Sequence, residues 1–371
     1  MPDLFGKASI IAGVGGVGFF AMSVLLLGVW PGRVLEEETR SLSPKHPLAL
    51  TASEQRGREI YSRDGCAYCH TQQVRTVDSD EARFGEPTLA WETQFDYPHL
   101  WGTRRIGPDL SREGSRHPED WQFSHLYAPR AIVPDSVMPA FPSMFDGAPD
   151  RPFQDARDLV AYIGSLGRAR ALAEPVSSKP TRPPALDTGA ADPARGQTVY
   201  AQNCSGCHGP HGEGDGTGAG GLSPRPANLA AHEYSSDRVA FALWNGEAGT
   251  AMSGWRDLSR SDLAAVSRVV HEFHTASREP APPEELLTLG EKVYVDHCAQ
   301  CHGEHGAGDG SAVEEIAVAP ANFVAQRASV AESLRVLRNG IAGTPMAPWN
   351  TKLSEAELAA VVTYIRGFYR P

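Results

Sequence analysis

Residues 204–208 read Cys204-Ser205-Gly206-Cys207-His208, and the same frame recurs at Cys66-Ala67-Tyr68-Cys69-His70 and at Cys298-Ala299-Gln300-Cys301-His302. Two thiols one helical turn apart, followed at once by a histidine, form the attachment pattern for c-type haem. Each sulfur can make a thioether to a porphyrin vinyl group, and the imidazole then meets the iron from the same side. A redox dithiol has no use for the histidine. Zinc takes four ligands, usually from two cysteine pairs close together. The three frames consume all six cysteines. They predict three covalently bound haem c groups, with His70, His208 and His302 as iron ligands, and leave no thiol for a disulfide.

Outward from these frames, an offset of 94 residues superposes the second copy on the third. It takes Gly196 to Gly290, Tyr200 to Tyr294, Asp215 to Asp309, Asn228 to Asn322, Gly246 to Gly340, Met252 to Met346 and Trp255 to Trp349. So long an ungapped register marks two copies of one domain. The first copy shares Gly57, Tyr61 and its own frame, but its interior is longer. Each copy predicts a short helix leading into the cysteines (53–63, 193–202, 285–296), a Gly/Pro-rich middle, and a closing helix (153–166, 260–274, 355–369). Ser259-x-x-Asp262 and Ser354-x-x-Glu357 fit helix-start capping patterns. Pro/Ala/Ser/Thr-rich sequence over 171–191 reads as a semi-extended linker, and 279–284 as a shorter one. The predicted organisation is an anchor over 1–33, a haem domain over 54–170, the 171–191 linker, a second domain over 192–275 and a third over 284–371. The fold class is mainly α.

The sixth iron ligand decides what a haem does, and a methionine thioether closes the coordination sphere and raises the reduction potential. Met252 and Met346 each follow their histidine by 44 residues. For the first haem the choice is Met138 or Met144. Met138 is favoured because it sits in the stiff stretch Pro134-Asp135-Ser136-Val137-Met138-Pro139, with His125 a weaker rival. Each ligating histidine needs an acceptor for its other ring nitrogen, commonly a backbone carbonyl. Pro108, Pro226 and Pro320 are the candidates, loop stiffening being the alternative. Arg104 or Arg105 could pair with haem propionates, or be a solvated basic pair.

Ala8–Trp30 is an uncharged, mostly apolar run of 23 residues, roughly 34 Å as a helix and enough to cross a bilayer. It ends in Val29-Trp30-Pro31-Gly32-Arg33, which looks more like an interfacial belt than a cleavage site. Lys7 precedes the run and Glu36, Glu37 and Glu38 follow it, which favours a cytoplasmic amino terminus. Bacterial c-type haem is attached outside the cytoplasmic membrane, so residues after Arg33 are expected in the periplasm and the anchor in the inner membrane. Ser9/Gly13 and Ala12/Gly16 are small-xxx-small pairs that would allow a partner membrane helix to approach. A net charge of −11 argues against nucleic acid as a partner.

Residues 54–170 resemble the mono-haem subunit (subunit II) of cbb3-type cytochrome c oxidases. The likeness runs through Cys69-His70-Thr71-Gln72-Gln73-Val74-Arg75, Trp101-Gly102-Thr103, Gly107-Pro108-Asp109-Leu110, His125-Leu126, Pro129-Arg130 and Val133–Pro139. Residues 192–371 are similar to the tandem domains of the di-haem subunit (subunit III), whose motifs many class I cytochromes c share. The resemblance implies a transmembrane helix followed by three class I cytochrome c-like domains. It further implies electron transfer from a soluble periplasmic donor into the haem–copper catalytic subunit of a cbb3-type oxidase. An oxygen-reducing site needs several membrane helices bearing histidines, and the one apolar run here has none. That subunit would therefore be a separate multi-helix chain. The rival readings are the cytochrome subunit of a nitric oxide reductase or other respiratory complex, and a multi-haem peroxidase. A peroxidase needs an open sixth position, against which the three methionines argue.

Overall fold

The structure, a computed structural model, describes residues 2–42, 49–94, 96–173, 181–256, 258–274 and 282–370. It is mainly helical. Three separate apolar cores lie along the chain. The first is built around Tyr61, Leu159 and Tyr162, the second around Tyr200, Leu263 and Val269, and the third around Tyr294, Leu358 and Val361.

Each core forms where the helix before the cysteines crosses the closing helix. Ala52–Arg63 packs on Gln154–Ser165, Pro193–Asn203 on Arg260–Phe273, and Glu284–His297 on Glu355–Arg366. Close crossing needs a residue without a side chain. A Cβ on Gly57 would meet the Asp158 carbonyl oxygen at 1.8 Å, one on Gly196 that of Ala265 at 2.4 Å, and one on Gly290 that of Ala360 at 2.2 Å. The caps follow the sequence patterns. Ser259 Oγ accepts from Asp262 N, and Ser354 with Glu357 forms a full capping box.

The second and third domains are joined by a feature that periodicity did not announce. Strand β1 (His232–Tyr234) pairs antiparallel with β2 (Gln326–Ala328), Glu233 standing opposite Arg327. Ser235 N donates to Ala325 O at 2.9 Å and Ser329 N to Ala231 O at 2.7 Å. These two bonds are the same bond under the 94-residue offset, so the repeats meet about a local two-fold axis. Strands of three residues are too short for alternation to register.

The amino-terminal helix departs from the expected 1–33 anchor. Helix Pro2–Val24 passes through a π-turn at Leu25–Val29 into a helix over Trp30–Leu42. Pro31 therefore does not end it. Proline removes a hydrogen bond and crowds the carbonyl four residues back, here Leu27, and the wider π-turn at that point accommodates it. One helix among the described residues, Phe5–Glu38, is long and apolar enough to cross a membrane. Its polar extension packs against Ala90–Thr93 and Arg168–Ala173 of the first domain.

The linker is helical at its start and docked further on. Helix Arg168–Ala173 runs into it, residues 174–180 lie outside the described part, and the remainder is docked rather than free. Thr181 N donates to Asn245 Oδ1 and Asn245 Nδ2 to Thr181 O, both at 3.0 Å, while Leu186 packs on the second core. Residues 279–281 of the shorter stretch lie outside the described residues, and Pro283 caps the helix Glu284–His297.

Candidate haem sites

Each cysteine frame begins where its helix ends. Cys204 N still bonds Tyr200 O and Cys298 N bonds Tyr294 O, after which a single turn carries Ser205–His208 and Ala299–His302. Buried Tyr200 and Tyr294 donate their hydroxyls to the carbonyls of Gly209 and Gly303, at 2.7 and 2.6 Å, and so hold that turn against the core. In the first domain Cys66–Tyr68 is a 3-10 turn. All six cysteines are half-buried thiols. Burial pushes Cys66 and Cys207 up to about 11 and Cys204 and Cys298 up to about 12. A catalytic dithiol requires the opposite shift.

Burial holds the His70, His208 and His302 rings below the usual histidine pKa, which keeps them neutral and fit to ligate. Each presents Nδ1 to a backbone carbonyl, an arrangement that fixes the tautomer and aims Nε2. In the first domain that carbonyl is Pro108, at 2.9 Å. In the other two it is not proline. Ala227 accepts from His208 at 3.1 Å and Ala321 from His302 at 3.0 Å. The expectation for Pro226 and Pro320 is one residue out. The Pro226 carbonyl faces Gly214, where a Cβ would stand 2.5 Å from it, and Pro320 faces Gly308 likewise. The following peptide then turns to the histidine.

The methionines show a shared device. Ser136 Oγ accepts from Met138 N at 3.2 Å, Thr250 Oγ1 from Met252 N at 3.1 Å, and Thr344 Oγ1 from Met346 N at 3.2 Å. A hydroxyl two residues back thus sets the backbone of all three. The sequence carries this device as Ser/Thr-x-Met at all three sites. Met144 lacks it. Its N bonds Phe141 O, and its side chain is 7% exposed inside the first core. Met138, Met252 and Met346 are each half-buried at the edge of a core. Trp255 and Trp349 pack beside the last two, and Trp255 Nε1 is buried without a hydrogen-bond partner among the described residues. A neutral imidazole, two thiols, a half-exposed thioether and an orphaned indole N–H fit the haem group.

Arg105 does not fit the propionate role expected of it. Its guanidinium is committed to Asp80, Asp109, Thr71 and the Gln73 carbonyl, and its side chain is 11% exposed. Asp109 also takes the hydroxyls of Thr71 and Ser111. Arg105 therefore ties the segment after His70 to the loop carrying Pro108. Arg104 is exposed.

Residues 17–168 match the family described as cytochrome C oxidase, mono-heme subunit/FixO. Residues 191–268 and 285–365 match that described as cytochrome C oxidase, cbb3-type, subunit III. The chain joins these two families. Over 46% of its length the chain is similar to curated proteins. "Cbb3-type cytochrome c oxidase subunit CcoP" of Azospirillum brasilense is 26% identical over 187 residues, covering 46% of this chain and 60% of that protein. The protein of the same title from Cereibacter sphaeroides is 26% identical over 193 residues, with shares of 46% and 59%. "Cbb3-type cytochrome c oxidase subunit FixP" of Azorhizobium caulinodans is 24% identical over 185 residues, with shares of 46% and 58%. The chain spans no more than 60% of the length of these relatives. The mono-haem and subunit III families bring covalently bound haem c and a membrane anchor to the chain.

Proposed function

We propose that this chain is a tri-haem subunit of a cbb3-type oxidase, passing electrons from a soluble periplasmic donor to a separate catalytic membrane subunit. The observation that carries the reading is the threefold recurrence of Cys-x-x-Cys-His with a hydroxyl-set methionine, in a chain that joins a mono-haem and a subunit III family. Haem iron held by histidine and methionine gains and loses one electron without binding a substrate. The protein's part is to hold that ligation still. The carbonyls of Pro108, Ala227 and Ala321 orient the imidazoles, the Ser/Thr hydroxyls place the methionines, and the helix crossings keep both sides together.

In this reading the anchor lies in the inner membrane with a cytoplasmic amino terminus, supported by Lys7 before it and Glu36–Glu38 after it. The glycine-bearing face is fully exposed and suits a partner helix. The helix that leaves the membrane packs on the first domain, which favours that domain as the one beside the catalytic subunit.

Intact mass of the mature protein should exceed the polypeptide by three haem masses, and two or fewer would defeat the tri-haem reading. Purification of the native complex should bring down a multi-helix haem–copper subunit. A nitric oxide reductase subunit in its place would defeat the oxidase assignment. Deleting residues 176–371 should slow oxidation of the donor and leave the complex assembled.

A further inference from the structure

The helix Glu119–Tyr127 of the first domain and the turn Pro129–Ile132 after it face two haem sites at once. Toward its own domain, Leu126 O accepts from Phe141 N at 2.9 Å, three residues beyond Met138, and Met138, Phe141, Phe123 and Tyr127 pack in one cluster. Toward the second domain, the same segment meets the haem-attachment turn. A Cβ on Gly206, inside Cys204–His208, would stand 2.4 Å from Ile132 O. Thr217 Oγ1 donates to Ala131 O at 3.1 Å, and Ser223 N to Asp120 Oδ2 at 2.8 Å.

A column of rings runs through this contact. His117 stacks on Trp121 with centroids 3.7 Å apart and planes 13° from parallel, and Trp121 stacks on His125 at 4.6 Å and 10°. The spacing of four residues puts the three rings on one face of the segment. At one end His117 Nε2 lies 3.3 Å from Ser253 Oγ, the residue next to Met252. Its Nδ1 is bonded to buried Glu113, which Gln122 Nε2 also reaches at 2.8 Å, so the ring is held in place. At the other end His125 precedes Leu126, whose side chain lies in the first core against which Met138 packs and whose carbonyl holds Phe141 N. His125 Nδ1 is buried without a hydrogen-bond partner among the described residues.

We propose that His117, Trp121 and His125 are the electronic contact between the first and second haem sites. With haem loaded, one electron would pass from the reduced iron that His208 and Met252 would hold to the oxidised iron that His70 and Met138 would hold. No bond is made or broken, no proton moves, and the rings themselves are not oxidised. They fill the gap with overlapping π systems where aliphatic packing would leave saturated atoms. The second domain is then the immediate donor to the first, and the third domain is the outer entry. This rests on the tri-haem reading above.

The test uses the full haem-loaded chain in detergent. Haem count by mass comes first, because fewer than three haems defeats the underlying reading before the column is examined. An electron is then injected by a photoexcited ruthenium complex, and its redistribution among the ferric low-spin signals is followed by freeze-quench paramagnetic resonance. Trp121→Leu should slow the step from second to first domain by at least an order of magnitude, and Trp121→Phe should restore most of it. His117→Leu, which alters the contact without opening the first core, should slow it as well. Midpoint potentials and small-angle scattering should be unchanged in all three. Unaltered rates in Trp121→Leu and His117→Leu would overturn the proposal. So would slowing that Trp121→Phe does not relieve, or slowing accompanied by shifted potentials or separated domains, since the rings would then be structural spacers.

Discussion

Glu233 and Arg327 occupy one and the same position in two successive repeats, and they are bonded to each other across the β1–β2 pair. A two-fold contact between identical copies would oppose like with like at this point. Divergence to opposite charges makes the contact attractive. Arg327→Glu should therefore weaken the docking of the second domain on the third by about 1 kcal/mol, since both side chains are partly exposed and like charges across a strand pair repel. The reciprocal Glu233→Arg change, added to it, should restore the docking. The measurement is the maximum dimension from small-angle scattering across salt concentrations.

Met138 and Met144 should separate cleanly. Met138→Ala should remove the near-infrared band of the first haem and lower its midpoint potential, because the thioether would be lost from iron. Met144→Ala should leave the band in place while destabilising the first domain by about 2–5 kcal/mol, the usual cost of emptying a core methionine. The opposite pair of outcomes would transfer the ligand role to Met144.

Gly290→Ala should strain the crossing of Glu284–His297 with Glu355–Arg366. The atom it would meet is a backbone carbonyl, which cannot swing aside as a side chain can. A loss of about 1–3 kcal/mol in the third domain is expected, read as a lowered thermal midpoint of the third haem's absorbance with the other two unchanged.

Asp158 sits on the closing helix of the first domain and accepts from Arg56 Nε and Nη2, at 2.6 and 2.9 Å, and from Ser53 and Gln154. The Arg56 bonds foremost, against the cost of burial, hold its pKa down at about 2. An unfolded aspartate titrates near 3.9. A depressed folded-state pKa stabilises above the unfolded value, and that stability is lost as pH falls through the folded one. Asp158→Asn should therefore cost about 1–3 kcal/mol at neutral pH. The gap from the parent should close between about pH 4 and pH 2. A gap that stays constant across that window would refute the assignment.

The cysteine frames, the repeat and the long apolar helix were legible because each depends on short-range spacing or on composition over many residues. The crossing glycines could be aligned at Gly57, Gly196 and Gly290 for the same reason. The carbonyl partners were not legible beyond Pro108, because which of two adjacent peptides turns toward His208 is decided by contact with Gly214, far off in the pattern. The role of Arg105 was lost to buried Asp80 and Asp109, whose positions only the fold brings together. The column at His117, Trp121 and His125 had a visible four-residue spacing. Its meaning lay in Ser253, a residue from another domain.

The contact between Pro129–Ile132 and the Ser205–His208 turn joins segments of four residues each. With the few hydrogen bonds around it from Thr217, Ser223 and His117, such a contact between two separate proteins would form and part readily. Carried on one polypeptide, with the second half of the connecting stretch pinned at Thr181, the two surfaces face each other at an effective concentration on the order of millimolar. Their one-to-one ratio is then set at synthesis, and dilution cannot uncouple the pair. Two such domains on separate chains would have to find each other by diffusion, whereas here their proximity comes from peptide bonds.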